Sequence, residues 1–417
     1  MIPVAKPYLT DEEVKAVQEV ILSGWVTQGP KVAEFENAFK QYVGADYACA
    51  TSNCTTALHL ALKVCGVSPG DVVLTVSHSF IATANAVRQC SAEPVFIDIA
   101  PDTYNMSVQR LEEFFQTECE ERPDGLYFKN VHQLSCEENP FHYIEQHIGR
   151  IAALLVVHQM GMPCDLGKIL PLAQKYNLPV VEDAACAVGS EISFDGSLTF
   201  EKIGRPRGDV ACFSFHPRKV ITTGEGGMIT TNNPELDRQL RLLRHQGMDV
   251  SDVQRHESKT IQFEQYTTTA FNYRMTDIQA AIGLEQLKKL PKIIEQRRKM
   301  VEIYKSKLND IGCFKMAEEP AYCKTNWQSF PVRILESSPR SRDEIMQYLM
   351  DHDIATRRGI MNIHQEQPYL NAMWQLPDSE AARDQVIILP VYHTLSEKGM
   401  ELIIEQLKMA VSNVHHG

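Results

Sequence analysis

Ile151-Ala-Ala-Leu-Leu-Val-Val-His-Gln-Met-Gly-Met-Pro-Cys-Asp-Leu-Gly-Lys-Ile-Leu-Pro-Leu-Ala-Gln-Lys-Tyr-Asn-Leu-Pro-Val-Val-Glu-Asp183 reads as strand, helix and strand in succession. Its two apolar runs, Ala152–Val157 and Leu178–Glu182, are brief, valine-rich and bounded by turn residues, as expected of strands buried on both faces. Between them Leu166, Ile169, Leu170, Ala173 and Tyr176 recur every three or four residues and mark one apolar helical face. Strand and helix in alternation imply a mainly parallel sheet wrapped by helices.

Working outward, similar runs occur at Tyr47–Thr51, Val72–Val76, Pro94–Asp98, Val210–Ser214 and Gly227–Thr231. Seven strands then build one large α/β domain. After about Thr231 the pattern becomes more polar and helical. Met275, Ile278 and Ile282 line a helix that runs towards Leu290, where Pro291 follows, and the charged segment Lys292–Lys307 reads as a helical connector. From Cys313 onward, apolar runs (Trp327–Leu335, Val386–Tyr392) alternate with helical ones (Arg342–Met350, Ser396–Val411), which predicts a smaller C-terminal α/β domain. The expected division is residues 1–290 and 291–417. Cys119–Arg150 reads as an insertion before the strand Ala152–Val157, expected to border the substrate entrance or a dimer interface, because long loops in compact domains are often functional.

Composition narrows the function. The 417 residues are 44% apolar and 23% charged, as in an ordinary globular protein with a sizeable core. A formal charge of −12 argues against nucleic acid as the main partner, since phosphate backbones need a basic surface. Eleven cysteines are scattered without CxxC pairs or zinc-ligand spacing, so no metal is expected and the thiols read as reduced core residues of a cytoplasmic protein. Neither a leader-like start nor a run of eighteen apolar residues is present, so no membrane partner is expected.

Four segments carry candidate chemistry, and three of them lie at strand ends, where open α/β sheets bind ligands. Thr51-Ser-Asn-Cys-Thr-Thr-Ala-Leu passes from a strand into a helix beginning near Thr55. Hydroxyls and free amides at a helix start suit a phosphate, although Thr55 or a neighbour as a plain cap explains the same residues. Asp183 follows directly on an apolar strand, where a carboxylate needs a cationic partner; a protonated pyridine nitrogen would be one, and a helix-capping role is the alternative. Lys219 lies between a strand and a glycine-rich turn, close to His216 and Arg218. Neighbouring cations and partial burial would lower its pKa and free the amine to form a Schiff base, whereas a lone lysine is ordinarily a surface residue. Gly224-Glu-Gly-Gly resembles a dinucleotide loop, but GxGxxG needs glycine at position 229, where Ile229 stands. In Phe271-Asn-Tyr-Arg-Met-Thr-Asp-Ile-Gln, Thr276 and Gln279 form a capping-box pattern that leaves Asn272 and Arg274 unexplained.

Together these segments resemble the DegT/StrS-type sugar aminotransferases, a branch of the fold-type I pyridoxal-phosphate enzymes. Further matching stretches are Ser23-Gly-Trp-Val-Thr-Gln-Gly-Pro, His78-Ser-Phe-Ile-Ala-Thr-Ala-Asn-Ala, Glu93-Pro-Val-Phe-Ile-Asp-Ile and His158-Gln-Met-Gly-Met-Pro-Cys-Asp. The resemblance implies pyridoxal 5'-phosphate held covalently by Lys219, with Asp183 on its ring nitrogen. It implies Thr55, Thr56 and Ser214 on the phosphate and Phe80 stacked on one ring face. Asn272 would reach the phosphate from a neighbouring subunit, in a homodimer with shared active sites. At the position where the family usually has His or Gln against the other ring face, this chain has Cys186, whose thiol can pack there but cannot make the same hydrogen bonds. The implied reaction moves an amino group from glutamate to a keto sugar, most often nucleotide-linked. A sugar dehydratase of the same fold is the nearest rival, but that branch replaces the lysine with histidine. A non-catalytic protein that binds the cofactor or a sugar is the second. Arg357 and Arg358 are candidates for binding a diphosphate or a carboxylate, or else a solvated surface pair, and His364 and Tyr369 are candidates to line the same pocket.

Overall fold

The seven expected strands pair into one sheet. They are β1 (Tyr47–Thr51), β2 (Val72–Val76), β3 (Glu93–Ile97), β4 (Ile151–Val157), β5 (Val180–Asp183), β6 (Val210–Ser214) and β7 (Gly227–Thr231), and they lie side by side in the order β1-β7-β6-β5-β4-β2-β3. This is a computed structural model, and it describes residues 1–134, 148–194, 199–249, 263–371 and 373–412. Strand β7 runs antiparallel to both neighbours and the other pairs are parallel. Every residue of β2 to β7 is buried, which is why these strands read as unbroken apolar runs. Two strand edges include a charge that an apolar pattern leaves out. Glu93 enters β3 because Arg88 pairs with it at 2.6 Å, and Asp183 closes β5.

Helices α1 (Asp11–Ser23), α2 (Pro30–Val43), α3 (Cys54–Val64), α4 (Ala82–Gln89), α5 (Val108–Thr117), α6 (Leu166–Lys175) and α7 (Pro234–Arg244) belong to this layer structure. Helix α8 (Asp277–Leu308) departs from expectation: it continues through Pro291 for 32 residues. One buried face, including Leu290, Ile293, Ile294, Met300 and Tyr304, runs the whole way and offsets the roughly 3 kcal/mol that an internal proline costs. The capping box of Thr276 with Gln279 forms as expected.

The division expected at residues 290 and 291 therefore falls inside a helix. Beyond it, β8 (Phe314–Met316), β9 (Phe330–Ile334), β10 (Arg357–Arg358) and β11 (Val386–Leu389) form an antiparallel sheet ordered β8-β9-β11-β10, with α9 (Arg342–Asp351), α10 (Pro377–Gln385) and α11 (Glu397–Val411). The chain's first residues join this smaller unit: Ile2 N–H donates to Asp353 O at 2.7 Å, and Ala355 N–H donates to Ile2 O at 2.9 Å.

The insertion opens with a hairpin, Cys119–Arg122 against Gly125–Phe128. Phe128 N–H donates to Gly149 O, and Arg150 pairs with Asp71 at 2.7 Å, so the hairpin is fastened at the amino ends of β2 and β4. The described part of the insertion therefore sits away from the expected substrate entrance, because the candidate site lies at the opposite, carboxyl ends of the parallel strands. Residues 135–147 of the insertion lie outside the described residues.

Candidate active site

Asp183 is the last residue of β5 and is only 5% exposed. Its Oδ2 accepts from Thr83 Oγ1 at 2.9 Å and its Oδ1 from Ala185 N–H at 3.1 Å. Ser79 Oγ in turn lies 2.8 Å from the Thr83 hydroxyl. Burial raises this carboxyl above its ordinary pKa and outweighs both hydrogen bonds. Among the described residues no cationic side chain forms an ion pair with it. Behind it, His158 Nδ1 accepts from Cys164 N–H at 3.0 Å, which leaves the ring proton on Nε2 to face Glu182 Oε2 at 3.1 Å.

Lys219 stands in the turn that follows β6, with its N–H donating to His216 O at 2.8 Å. Its side chain is half-buried, and Nζ reaches Cys186 Sγ at 3.2 Å rather than open solvent. The expected lowering of its pKa is not found. Burial pushes the ammonium down, but Cys186, Cys54 and Asp183 push it up more strongly, so the net shift is upward. His216 does move down, chiefly through burial, with Arg218, Lys219 and Arg357 adding to it against Glu225. The glycines that follow are steric necessities. A Cβ on Gly226 would lie 2.3 Å from Thr223 Oγ1, and one on Gly227 would lie 2.5 Å from Asn53 O and 2.6 Å from Thr51 Oγ1.

Gly227 is also the register partner of both Ser214 and Thr51, so it draws the ends of β6 and β1 together across β7. There α3 begins at Cys54, one residue before the expected start. Its cap is Asn53, not Thr55: Asn53 Oδ1 accepts from Thr56 N–H at 2.9 Å. The Thr56 hydroxyl is tied into this cap by donating to Asn53 O at 2.8 Å, while Thr55 takes no part in it. The amides of Cys54 and Thr55 have no acceptor within the helix, as at every helix start. Ser214, Thr55 and Thr56 thus gather beside one helix amino terminus.

Phe80 precedes α4, three residues before Thr83, and is 65% exposed. Asn272 is exposed as well. It bridges to His245, and the next carbonyl, Tyr273 O, accepts from Ser52 N–H at 2.8 Å, which sets this segment against the start of α3. Of the substrate candidates, Arg357 and Arg358 lie on β10 and are exposed. Burial, then the charge of Arg218, lowers the Arg357 guanidinium below its ordinary value. Arg358 comes within 4.0 Å of Glu366. His364 is 5% exposed, with Nδ1 at 2.6 Å from Ser77 Oγ and Nε2 at 3.3 Å from Glu380 Oε1. Both ring nitrogens are engaged, which places His364 in a seam between the large and small units instead of an open pocket wall. Tyr369 is buried too and donates to Asn85 Oδ1 at 2.7 Å.

The sequence reading missed residues 326–328, which brace the site from the smaller unit. Asn326 Nδ2 donates to Cys186 O at 2.8 Å and Val188 O at 2.9 Å, and Gln328 Nε2 donates to Arg218 O at 2.6 Å. Arg297 on α8 holds this loop through Trp327 O at 2.9 Å. Only the polar residues Asn326 and Gln328 on either side of Trp327, at the start of an apolar run, could have signalled it.

A lysine amine enclosed near a buried strand-end carboxylate, at the carboxyl ends of this seven-stranded sheet, defines a fold-type I transferase. The chain belongs to the DegT/DnrJ/EryC1/StrS aminotransferase family, whose model matches residues 7–121 and 127–408, and it is an enzyme. It is 35% identical over 413 residues to a GDP-perosamine synthase of Caulobacter vibrioides, covering 97% of each chain. A second GDP-perosamine synthase, from Escherichia coli O157:H7, is 32% identical over 407 residues with 97% of each covered. Among solved structures, the aminotransferase TlmJ from Streptoalloteichus hindustanus superposes with a TM-score of 0.82 at 29% identity, covering 98% of each chain.

Proposed function

We propose that this enzyme moves an amino group from L-glutamate to a nucleotide-linked keto sugar, with pyridoxal 5'-phosphate held in the site described above. The observation that carries this reading is Asp183, a buried carboxylate short of a cation, set near an enclosed lysine amine. The residues present fit such a group. Asp183 has lone pairs left after its two hydrogen bonds, Lys219 offers a primary amine, and the start of α3 offers amides and hydroxyls for a phosphate. When bound, the cofactor supplies a carbonyl that takes up amines and a ring that withdraws electrons from the adjoining carbon.

The chain's own residues do the rest. Asp183 would hold the protonated ring nitrogen, the cationic partner that a buried carboxylate needs. Lys219 Nζ would move the proton at the amine-bearing carbon of the substrate; positioned transfer of this kind contributes about 10²–10⁴-fold. Thr55, Thr56 and Ser214 would hold the phosphate, and Phe80 and Cys186 would flank the ring. Asn272 from a second copy would complete the site. The charge of Arg218 disfavours that of Arg357, and among the described residues neither forms an ion pair. An anionic group between them, the diphosphate of the acceptor or the carboxylate of the donor, would relieve that repulsion. The two related GDP-perosamine synthases support a nucleotide-linked acceptor, and Lys219 itself disfavours the dehydratase reading.

The test loads the purified chain with pyridoxal phosphate and adds L-glutamate, then a panel of nucleotide-linked keto sugars. Glutamate alone should change the visible absorbance, and one acceptor should sustain release of 2-oxoglutarate. Lys219→Ala should lose both responses. An absorbance change with no turnover on any acceptor would remove the sugar, and no change at all would remove the transfer.

A further inference from the structure

Ten cysteines lie among the described residues, all are free, and eight are buried. Cys65 and Cys186 are the two with partial exposure. Burial and the charge of Asp209 push the Cys65 thiol far up, so it is a poor nucleophile. Cys186 instead has a lysine amine at 3.2 Å. Electropositive, partly exposed settings are where protein thiols react with oxidants. The contact is also held from behind on both sides. Asn326 fixes the Cys186 carbonyl, and Gln328 fixes the carbonyl of Arg218 beside Lys219.

We propose that Cys186 and Lys219 form a reversible sulfur–nitrogen crosslink on exposure to a peroxide, a modification that removes the lysine from service. In the first step the Cys186 sulfur attacks one peroxide oxygen. The O–O bond breaks, the other oxygen leaves as water, and sulfur, oxidised by two electrons, becomes a sulfenic acid. In the second step Lys219 Nζ attacks that sulfur. The S–N bond forms, the S–O bond breaks, and the departing hydroxyl takes a proton from nitrogen and leaves as water. No further electrons move. An external thiol reverses the lock by attacking sulfur, which releases the amine and forms a mixed disulfide that a second thiol resolves.

The electrostatics favour this order of events. Burial pushes the Lys219 ammonium down, and its contact with Cys186 is the foremost influence that holds it up. Conversion of Cys186 to the sulfenic acid replaces that thiol contact and leaves burial, which favours the neutral amine that reacts, opposed by Cys54 and Asp183. The consequence for catalysis rests on the function proposed above; the crosslink itself does not.

The full-length chain, with and without bound pyridoxal phosphate, is treated with hydrogen peroxide, digested without reductant and mapped by mass spectrometry. The cofactor-free chain should yield a peptide pair joined between Cys186 and Lys219, with lost cofactor binding that dithiothreitol restores. The loaded chain should give at least about tenfold less, because its lysine amine is engaged. Cys65→Ser should leave the yield unchanged. Recovery of Cys186 unmodified, or as sulfinic acid with no joined peptide, overturns the proposal. So does an equal, thiol-reversible loss of binding in Cys186→Ser. A crosslink in a chain that fails to bind pyridoxal phosphate even before treatment would support the lock and sink the functional reading instead.

Discussion

The carboxylate of Asp183 is held by one hydroxyl and one amide; among the described residues it has no ion pair, and the nearby charge of Lys219 offsets its burial only in part. Its folded-state pKa is raised, so the folded chain binds a proton over a pH range where the unfolded chain has lost it. Stability of the cofactor-free protein therefore falls as pH rises from the ordinary carboxylate value through the raised one, and above the raised value the whole cost is present. Asp183→Asn keeps the shape and removes the charge. Above the raised carboxyl pKa the cofactor-free variant should be more stable by about 1–3 kcal/mol, the usual cost of a poorly satisfied buried polar group. It should also lose the absorbance response to glutamate. Chemical denaturation with and without pyridoxal phosphate measures both, and an unaltered or lower stability would show that the carboxylate is already well satisfied. Such a trade of stability for function is common at active sites. At this scale the sequence was informative because strand-end position and residue type are local. The Lys219 pKa was not legible, since the groups that reverse it, Cys54, Cys186 and Asp183, come from other strands and helices.

Elements of this fold are fastened by charges that pattern reading passes over. Glu36 on α2 is buried, and its Oε1 accepts from Ala50 N–H of β1 at 2.9 Å. Two arginines of α7 close on it, Arg241 Nη1 at 2.8 Å and Arg244 Nη1 at 2.5 Å, and they also donate to Ala48 O and Ala50 O. Removing one partner of a buried network leaves the others uncompensated, so Glu36→Ala should cost about 3–5 kcal/mol. A shift in urea midpoint without a change in slope would carry that value, whereas a loss under 1 kcal/mol would mean that the arginines find solvent. Asp277 acts in the same way on α2, accepting from Gly29, Lys31 and Val32 N–H at 2.8, 3.1 and 3.0 Å. Ser23–Pro30 and the segment from Phe271 look like separate motifs in the sequence, yet one caps the other. A Cβ at Gly29 would lie 1.9 Å from the Trp25 indole nitrogen, so any larger residue there would displace that ring. Helix periodicity and strand composition made the elements legible, while their fastening depends on residues hundreds of positions apart.

Across the whole molecule, the small unit is docked onto the wall of the site through residues 362–379. His78 Nδ1 donates to Asn362 Oδ1 at 2.9 Å, His364 meets Ser77, and Asp98 accepts from Asp378 N–H and Ser379 N–H at the start of α10. Burial holds the His78 pKa down to about 4 against an ordinary 6.5. A depressed histidine binds fewer protons folded than unfolded, so its contribution is intact above the ordinary value and is lost as pH falls towards the lower one. The difference is about 3 kcal/mol at about 1.4 kcal/mol per unit. His78→Asn should flatten the loss of stability between those two pH values relative to the unaltered chain, and a parallel pair of curves would assign the loss elsewhere. The second whole-molecule prediction concerns a neighbouring copy. Phe80, Leu22 and Phe263 are large apolar side chains left 65%, 77% and 85% exposed, and Asn272 is exposed beside the start of α3; exposed apolar surface of this kind often marks association. If two copies share each site, Lys219 comes from one and Asn272 from the other. Lys219→Ala and Asn272→Ala chains, each inactive or weak alone, would then assemble into mixed dimers holding one site with both native residues and one with neither. Co-expression with two affinity tags isolates the mixed species. Its activity should approach half that of the unaltered dimer, about one competent site in two. Activity no higher than the sum of the parents would place Lys219 and Asn272 in one chain's site, and the shared arrangement would be wrong.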